Sequence, residues 1–296
     1  MTLTLTSNLL CVGSLRIWRN FLLTSAVASA LMLVSPWAQA GRSCNAPHPP
    51  KAQAVERALT LAEHTAKALD ESGAQVVILA RAGQDLSKYG LRYSHLGFAY
   101  RQTIPAAEGQ GGKSSHVWRV LHKLNQCGSA DSAIYRQGLG EFFMDDLWRY
   151  EAAWVVPTPD VQVKLHAMLN DPARATQMHH KPYNLVSYPW SLKYQQSNQW
   201  AIETLATAVS PELGGRPSRS QAQAWLQFNG YQPTVLNIGA MTRLGARVSA
   251  ANVAFDDHPS DKRFSDHIET VTVDSVFAWL PRAGLAKSPY STYRLW

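Results

Sequence analysis

The chain has 296 residues, and 28 Lys and Arg against 21 Asp and Glu give it a net charge of +7. A hydrophobic content of 46% with 17% charged residues supplies enough apolar mass for a buried core and excludes an intrinsically disordered chain. Three cysteines are too few for a disulfide-framework fold or a Cys-rich zinc module.

Residues 1–40 contain no Asp, Glu or Lys, and Arg16 and Arg19 precede an apolar run over 21–34. Ser35-Pro36 and then Ala38-Gln39-Ala40 follow it. A positive start, a short apolar run and a small-x-small end form the order of a secretory signal. This predicts a periplasmic or secreted protein whose mature chain begins at Gly41. The run is shorter than the ~20 residues a membrane helix needs, and no later stretch approaches that length, so no stable span is expected after cleavage. The positive balance suits weak attraction to anionic envelope polymers. It lacks the concentrated Lys/Arg runs of a nucleic-acid binder, so the expected partner is an envelope peptide, glycan or lipid and not nucleic acid. Cleavage removes Cys11 and leaves Cys44 and Cys127, an even pair in an oxidising compartment, which predicts a disulfide between them. The alternative, Cys127 as a nucleophile, would leave Cys44 idle.

In chain order, Val55, Leu59, Ala62, Ala66 and Leu69 recur at helical spacing and predict an amphipathic helix over 51–69, ended by Ser72-Gly73. The run Val76-Val77-Ile78-Leu79 predicts a buried strand over 75–81. Strands are expected over 93–101 and 117–124, separated by a Gly/Ala/Ser-rich loop at 105–115, and again over 150–156. Thr158-Pro159-Asp160 is a helix start, and Asp171-Pro172 opens a shorter helix. Residues 179–190, with two prolines, predict a loop. Helices follow over 197–209 and 220–229, the second stopped by Gly230, with a linker loop at 211–219. Apolar runs broken by Gly239 and Gly245 predict a hairpin over 234–255. A last strand over 270–273 precedes a short helix opening at Asp274, and 281–296 has the pattern of a tail. Helices and strands mix without strict alternation, which favours an α+β domain over 41–280 with a small antiparallel sheet.

Two of the expected strands each carry one histidine among apolar neighbours: Tyr93-Ser94-His95-Leu96-Gly97-Phe98 and Val120-Leu121-His122. If the strands are adjacent and antiparallel, both imidazoles can lie on one face. One could act as a base while the other fixes its tautomer; the alternative is two half-buried strand histidines. Gly83-Gln84-Asp85-Leu86 followed by Ser94-His95-Leu96-Gly97 and Leu121-His122 resembles motifs of NlpC-type papain-like cysteine peptidases. The resemblance implies a Cys on a helix N-terminus, a His on a strand and a polar third residue on the next strand. In the permuted branch, which includes lecithin–retinol acyltransferase-like proteins, the His strand comes before the Cys helix. The downstream helix start here is Tyr194-Gln195-Gln196-Ser197-Asn198-Gln199-Trp200. Ser197, with Trp200 three positions later, stands where that branch has its Cys. The resemblance thus implies a circularly permuted papain-like arrangement with His95 as base, His122 as orienting group and Ser197 as nucleophile or its relic. A serine opening a helix can also be a plain N-cap.

A broader resemblance covers about residues 42–280. Arg42-Ser43-Cys44, the 83–97 segment, Leu124-Asn125-Gln126-Cys127-Gly128, Gly140-Glu141-Phe142-Phe143, the 194–200 segment and residues 251–259 resemble a family of exported bacterial proteins of unknown function. This resemblance implies export and one continuous domain, and no activity. Elsewhere, Asp256-Asp257-His258 with Asp261, Asp266 and His267 offers hard ligands but matches no metal loop, and is expected to be a solvated turn. His179-His180 is expected in a loop. The aromatic residues supply either core mass or a binding platform. No metal or cofactor is implied. The expected activity is amide or ester hydrolysis or acyl transfer at the envelope; the competing role is an inactive binding protein on the same scaffold.

Overall fold

The computed structural model describes residues 51–105, 115–126, 129–145, 147–210, 213 and 215–295. The expected signal segment, Cys44, Cys127 and most of the loop at 105–115 lie outside these residues. The described residues fall within one compact unit, 39–296.

The first helix, α1 (Ala52–Glu71), buries Ala58, Leu61, Ala62, Thr65 and Leu69 along one stripe and ends where Gly73 takes a positive φ. All seven residues of β1 (Val76–Ala82) are buried, because helices cover both faces of this central strand. It pairs with β2 (His95–Ile104) on one side and β5 (Arg149–Val155) on the other, both antiparallel. β3 (Ser115–Asn125) and β4 (Ser132–Gly138) extend the sheet beyond β2. At the far end β8 (Ser291–Arg294) pairs with β5, giving the order β4-β3-β2-β1-β5-β8. Residues 291–294, within the segment expected as a tail, therefore join the main sheet.

Alternation along the strands makes two cores. Val77, Leu79, Ala99, Trp118 and Val120 face α1 and the short α2 (Leu139–Phe143). Val76, Ile78, Leu96, Phe98 and Leu121 face the other way. There they meet α3 (Pro159–Leu169), α5 (Ser197–Val209), α6 (Arg219–Phe228) and α9 (Val273–Arg282). Thr158 precedes α3 with Pro159 in its first turn, and Asp171 caps α4 (Pro172–Thr176) through the Ala173 and Arg174 amides. The architecture is a mixed fold, an antiparallel sheet between helical layers, which agrees with the α+β expectation at this level.

The hairpin expected over 234–255 does not form. β6 (Thr234–Asn237) pairs instead with β7 (His267–Thr270) in a separate two-stranded sheet. Between them lie α7 (Ala240–Ser249) and α8 (Ser260–Phe264). Gly239 is the N-cap of α7 and Gly245 lies inside it, so neither glycine breaks a strand.

Candidate active site

β2 and β3 are in register from Phe98 opposite Leu121 to Ile104 opposite Ser115. Extending this register puts Gly97 opposite His122, so His95 and His122 share a face. A Cβ on Gly97 would lie 2.8 Å from the His122 Cβ and 2.9 Å from the Leu121 carbonyl oxygen. The glycine of the Ser-His-Leu-Gly segment is thus a space requirement: it lets the His122 side chain cross over β2. His95 Nε2 and His122 Nδ1 are 2.8 Å apart, and His122 Nε2 is 2.8 Å from Gln137 Oε1. Gln137 belongs to β4, so one hydrogen-bond chain crosses three strands.

The protons on this chain follow from its far end. His122 is fully buried, and burial, helped by the nearby Arg81 cation, pushes its pKa down to about 4. Neutral His122 donates its Nε2–H to the Gln137 carbonyl oxygen and keeps its lone pair on Nδ1. That lone pair accepts from His95 Nε2–H, so neutral His95 carries its own lone pair on Nδ1. Phe142 packs against both rings, with centroids 6.0 and 5.2 Å away.

Beyond Gly97 the two strands part: β3 stays paired with β4 as far as Asn125, opposite Ser132. The N-terminus of α5 enters at this fork. Asn198 Oδ1 accepts the Leu96 N–H at 3.1 Å, replacing a ladder bond, and Trp200 packs edge-on against Phe98 at 5.8 Å. The helix body therefore lies on the Leu96/Phe98 face, opposite the face that carries the imidazoles. The imidazoles and the helix body thus lie on opposite sides of β2. Only at the fork do the two sides meet. A cleft of about 110 Å³ is lined there by Arg81, His95, Asn125, Asp145, Tyr183 and Ser197.

The N-cap of α5 is Gln196, not Ser197, which is the first helical residue. Ser197 Oγ lies 3.4 Å from Tyr183 Oη. Asn125 Nδ2 is buried with no hydrogen-bond partner among the described residues, although its side chain lines the cleft. Arg81 is buried, stacks on Phe142, donates to the Phe142 carbonyl and pairs with Asp145 at 2.6 Å.

A second polar network holds the loop that leads into Ser197. Buried Lys123 donates to the His180 carbonyl at 2.7 Å and to Gln195 Oε1 at 2.6 Å; burial first, then Arg219, pulls its pKa to about 6. Glu203 receives Gln195, Gln223 and a two-point contact from Arg219 at 2.8 and 3.0 Å. These groups set where Ser197 sits and stand away from the cleft lining.

Sequence reasoning singled out His95, His122 and Ser197. Gln137, Arg81 and Tyr183 carry no motif, and Asn125 lies in the Leu124–Gly128 segment, which implied family membership but no role in a site. The turn expected at Asp256-Asp257-His258 forms, with Asp256 exposed and paired with Lys193 at 2.7 Å, but it is solvated only there: Asp257 and His258 make a buried clasp. Asp257 accepts the Tyr188 N–H at 2.8 Å and lies 3.0 Å from His258 Nδ1, while His258 Nε2 donates to the Glu269 carbonyl at 2.9 Å. Both side chains are fully buried because they tie the segment before α5 to the small sheet. Among the described residues no group of three or more His, Cys, Asp and Glu is arranged to hold a metal ion. No helix among them is long and apolar enough to cross a membrane.

No curated protein and no solved structure matches this chain. A family model does match, over residues 68–280, a span that contains both histidines, Gln137, Asn125 and Ser197. The chain belongs to that family, described as an uncharacterized protein conserved in bacteria (DUF2145).

Proposed function

We propose that the cleft is the active site of a serine-dependent acyl hydrolase or acyl-transfer protein acting on an ester or amide of the cell envelope, built in a permuted papain-like order. The observation that carries this reading is the Gln137–His122–His95 chain ending in the cleft that also holds Ser197. In the proposed step Ser197 Oγ attacks the carbonyl carbon and its proton passes to His95 Nδ1. His122 and Gln137 hold His95 in the tautomer that carries its lone pair on this nitrogen, as the third residue of such a site does. The oxyanion faces Asn125 Nδ2 and the positive end of α5. His95 returns the proton to the leaving group, and water or an acceptor alcohol takes the acyl group from Ser197.

Turnover of a panel of aryl esters and aryl amides tests the reading. Ser197→Ala should abolish turnover and cost about 1 kcal/mol of stability, since its buried hydroxyl bonds Tyr183 but makes no cap bond. Loss of stability without any turnover to lose, in either form, would remove the reading. An inactive binding role on the same scaffold is the second reading, favoured by a large apolar cavity beside the cleft. Export and the Cys44–Cys127 bond belong to the same proposal, supported by Arg16, Arg19 and the Ala38-Gln39-Ala40 site. The intact mass of the mature protein tests both: it should start at Gly41 and take up no thiol label.

A further inference from the structure

A cavity of about 260 Å³ adjoins the cleft; the two share Gln84, Ser94 and Leu185. It lies between the 84–94 segment, the small sheet and α7. Its walls are mostly apolar, with Leu86, Leu91, Leu236, Ile238, Val253 and Phe255, and the exposed Gln84 and Lys88 stand at its margin. Thr242 and Ala246, four residues apart on α7, form its outer side.

The polar side chains at its inner end are committed elsewhere. Gln196 donates to Thr270 Oγ1 and to the Val271 carbonyl, each at 2.7 Å. Asn198 accepts the Leu96 N–H and donates to the Val271 carbonyl at 3.3 Å. Thr272 Oγ1 caps α9 by accepting the Ser275 N–H and pairs with Thr234. Such a wall has few donors or acceptors to offer a sugar or a peptide, whose buried polar groups would go unpaired at a cost of ~1–3 kcal/mol each. A hydrocarbon chain leaves nothing unpaired there.

We propose that this cavity binds the hydrocarbon chain of an acyl group. Its size sets the length. A protein cavity of about 150 Å³ holds benzene, so one of 260 Å³ has room, in proportion, for about ten carbons. Gln196 and Asn198 line the cavity while Ser197, between them, lines the cleft. A chain lying in the cavity thus ends at the helix N-terminus; that its carbonyl meets Ser197 rests on the hydrolase reading, whereas binding of the chain does not. Met241 and Leu244 stand 80% and 60% exposed on α7, an apolar rim on the helix that walls the cavity.

The test is calorimetric titration with straight-chain carboxylates from butyrate to hexadecanoate. A second arm uses phosphatidylglycerol vesicles doped with a pyrene-decanoyl lipid, which separates a membrane source of the chain from a soluble one. Affinity should rise about fourfold per methylene and level off near ten carbons. Ala246→Trp should weaken binding at least tenfold at an unchanged melting temperature, and Thr242→Trp serves the same purpose if the first variant does not fold. No binding in either arm, affinity independent of chain length, or full binding by a folded cavity-filling variant would overturn the proposal. Chain binding without turnover removes the hydrolase reading alone. Turnover of acetyl esters without chain binding removes the cavity proposal alone.

Discussion

Replacing Gln137 tests the proton logic of the site without touching a residue of the cleft lining. Its carbonyl oxygen is 2.8 Å from His122 Nε2, and His122 is fully buried. Gln137→Leu removes that acceptor and leaves a buried N–H unpaired, which costs about 1–3 kcal/mol. The neutral ring can escape by moving its proton to Nδ1. There it faces His95 Nε2, 2.8 Å away. Two donors cannot share that contact, so His95 must shift its own proton to Nδ1 and lose the lone pair that would accept from Ser197. General-base assistance is worth about 10²–10⁴-fold, so kcat should fall by about 100-fold or more. Gln137→Glu behaves differently: its carboxylate keeps the proton on Nε2, raises the His122 pKa from about 4 and should retain most of the turnover. Nitrogen-15 NMR of the histidine rings reads the tautomers, and aryl-ester hydrolysis reads the consequence. Full turnover by a folded Gln137→Leu protein, or a His122 proton already on Nδ1 in the unaltered protein, would refute the reasoning.

Other outcomes follow from the same geometry. His122 has a folded pKa of about 4 against an ordinary 6.5, so its contribution to stability is complete above pH 6.5 and is lost as pH falls through about 4. At 1.36 kcal/mol per unit that is about 3 kcal/mol, with His179, also held near 4 by burial and Lys123, acting in the same direction; urea unfolding at several pH values measures the slope. Gly97→Ala should destabilise the fold by about 1–3 kcal/mol and disrupt the His95–His122 bond, because the added carbon meets His122 and the Leu121 carbonyl at under 3 Å. Asn125→Ala should lower kcat by about 10²-fold with little change in melting temperature, since its buried Nδ2 has no partner among the described residues to lose. Glu203→Ala leaves the Arg219 charge with only the Ser191, Leu192 and Tyr194 carbonyls for partners and should cost about 3 kcal/mol in chemical denaturation.

What the sequence revealed depended on whether a segment's packing was periodic. The helix over 197–209 was legible because Trp200, Leu205 and Val209 recur at helical spacing, and the structure has the same bounds. β1 was legible as an apolar run. β4 was not: Ser132-Ala133-Ile134-Tyr135-Arg136-Gln137 is the outer strand of its sheet, half exposed and without an apolar face. With it went Gln137, the far end of the proton chain. β8 is a strand only because the β5 edge pairs it; Ser291-Thr292-Tyr293-Arg294 has no pattern of its own. α7 was hidden by Gly239 and Gly245, which read as breaks. The face on which α5 packs could not be read either. It depends on Asn198 entering the fork where β2 leaves β3, a long-range contact made by a residue with no local signal.

The most direct test of the central claim is covalent labelling with a fluorophosphonate, followed by peptide mapping. A serine made nucleophilic by His95 should be phosphonylated once, on the peptide carrying Ser197. The label should be lost in Ser197→Ala and reduced at least tenfold in a folded His95→Ala variant. A folded protein that takes up no label, or that is labelled at Ser197 equally well without His95, would contradict the account.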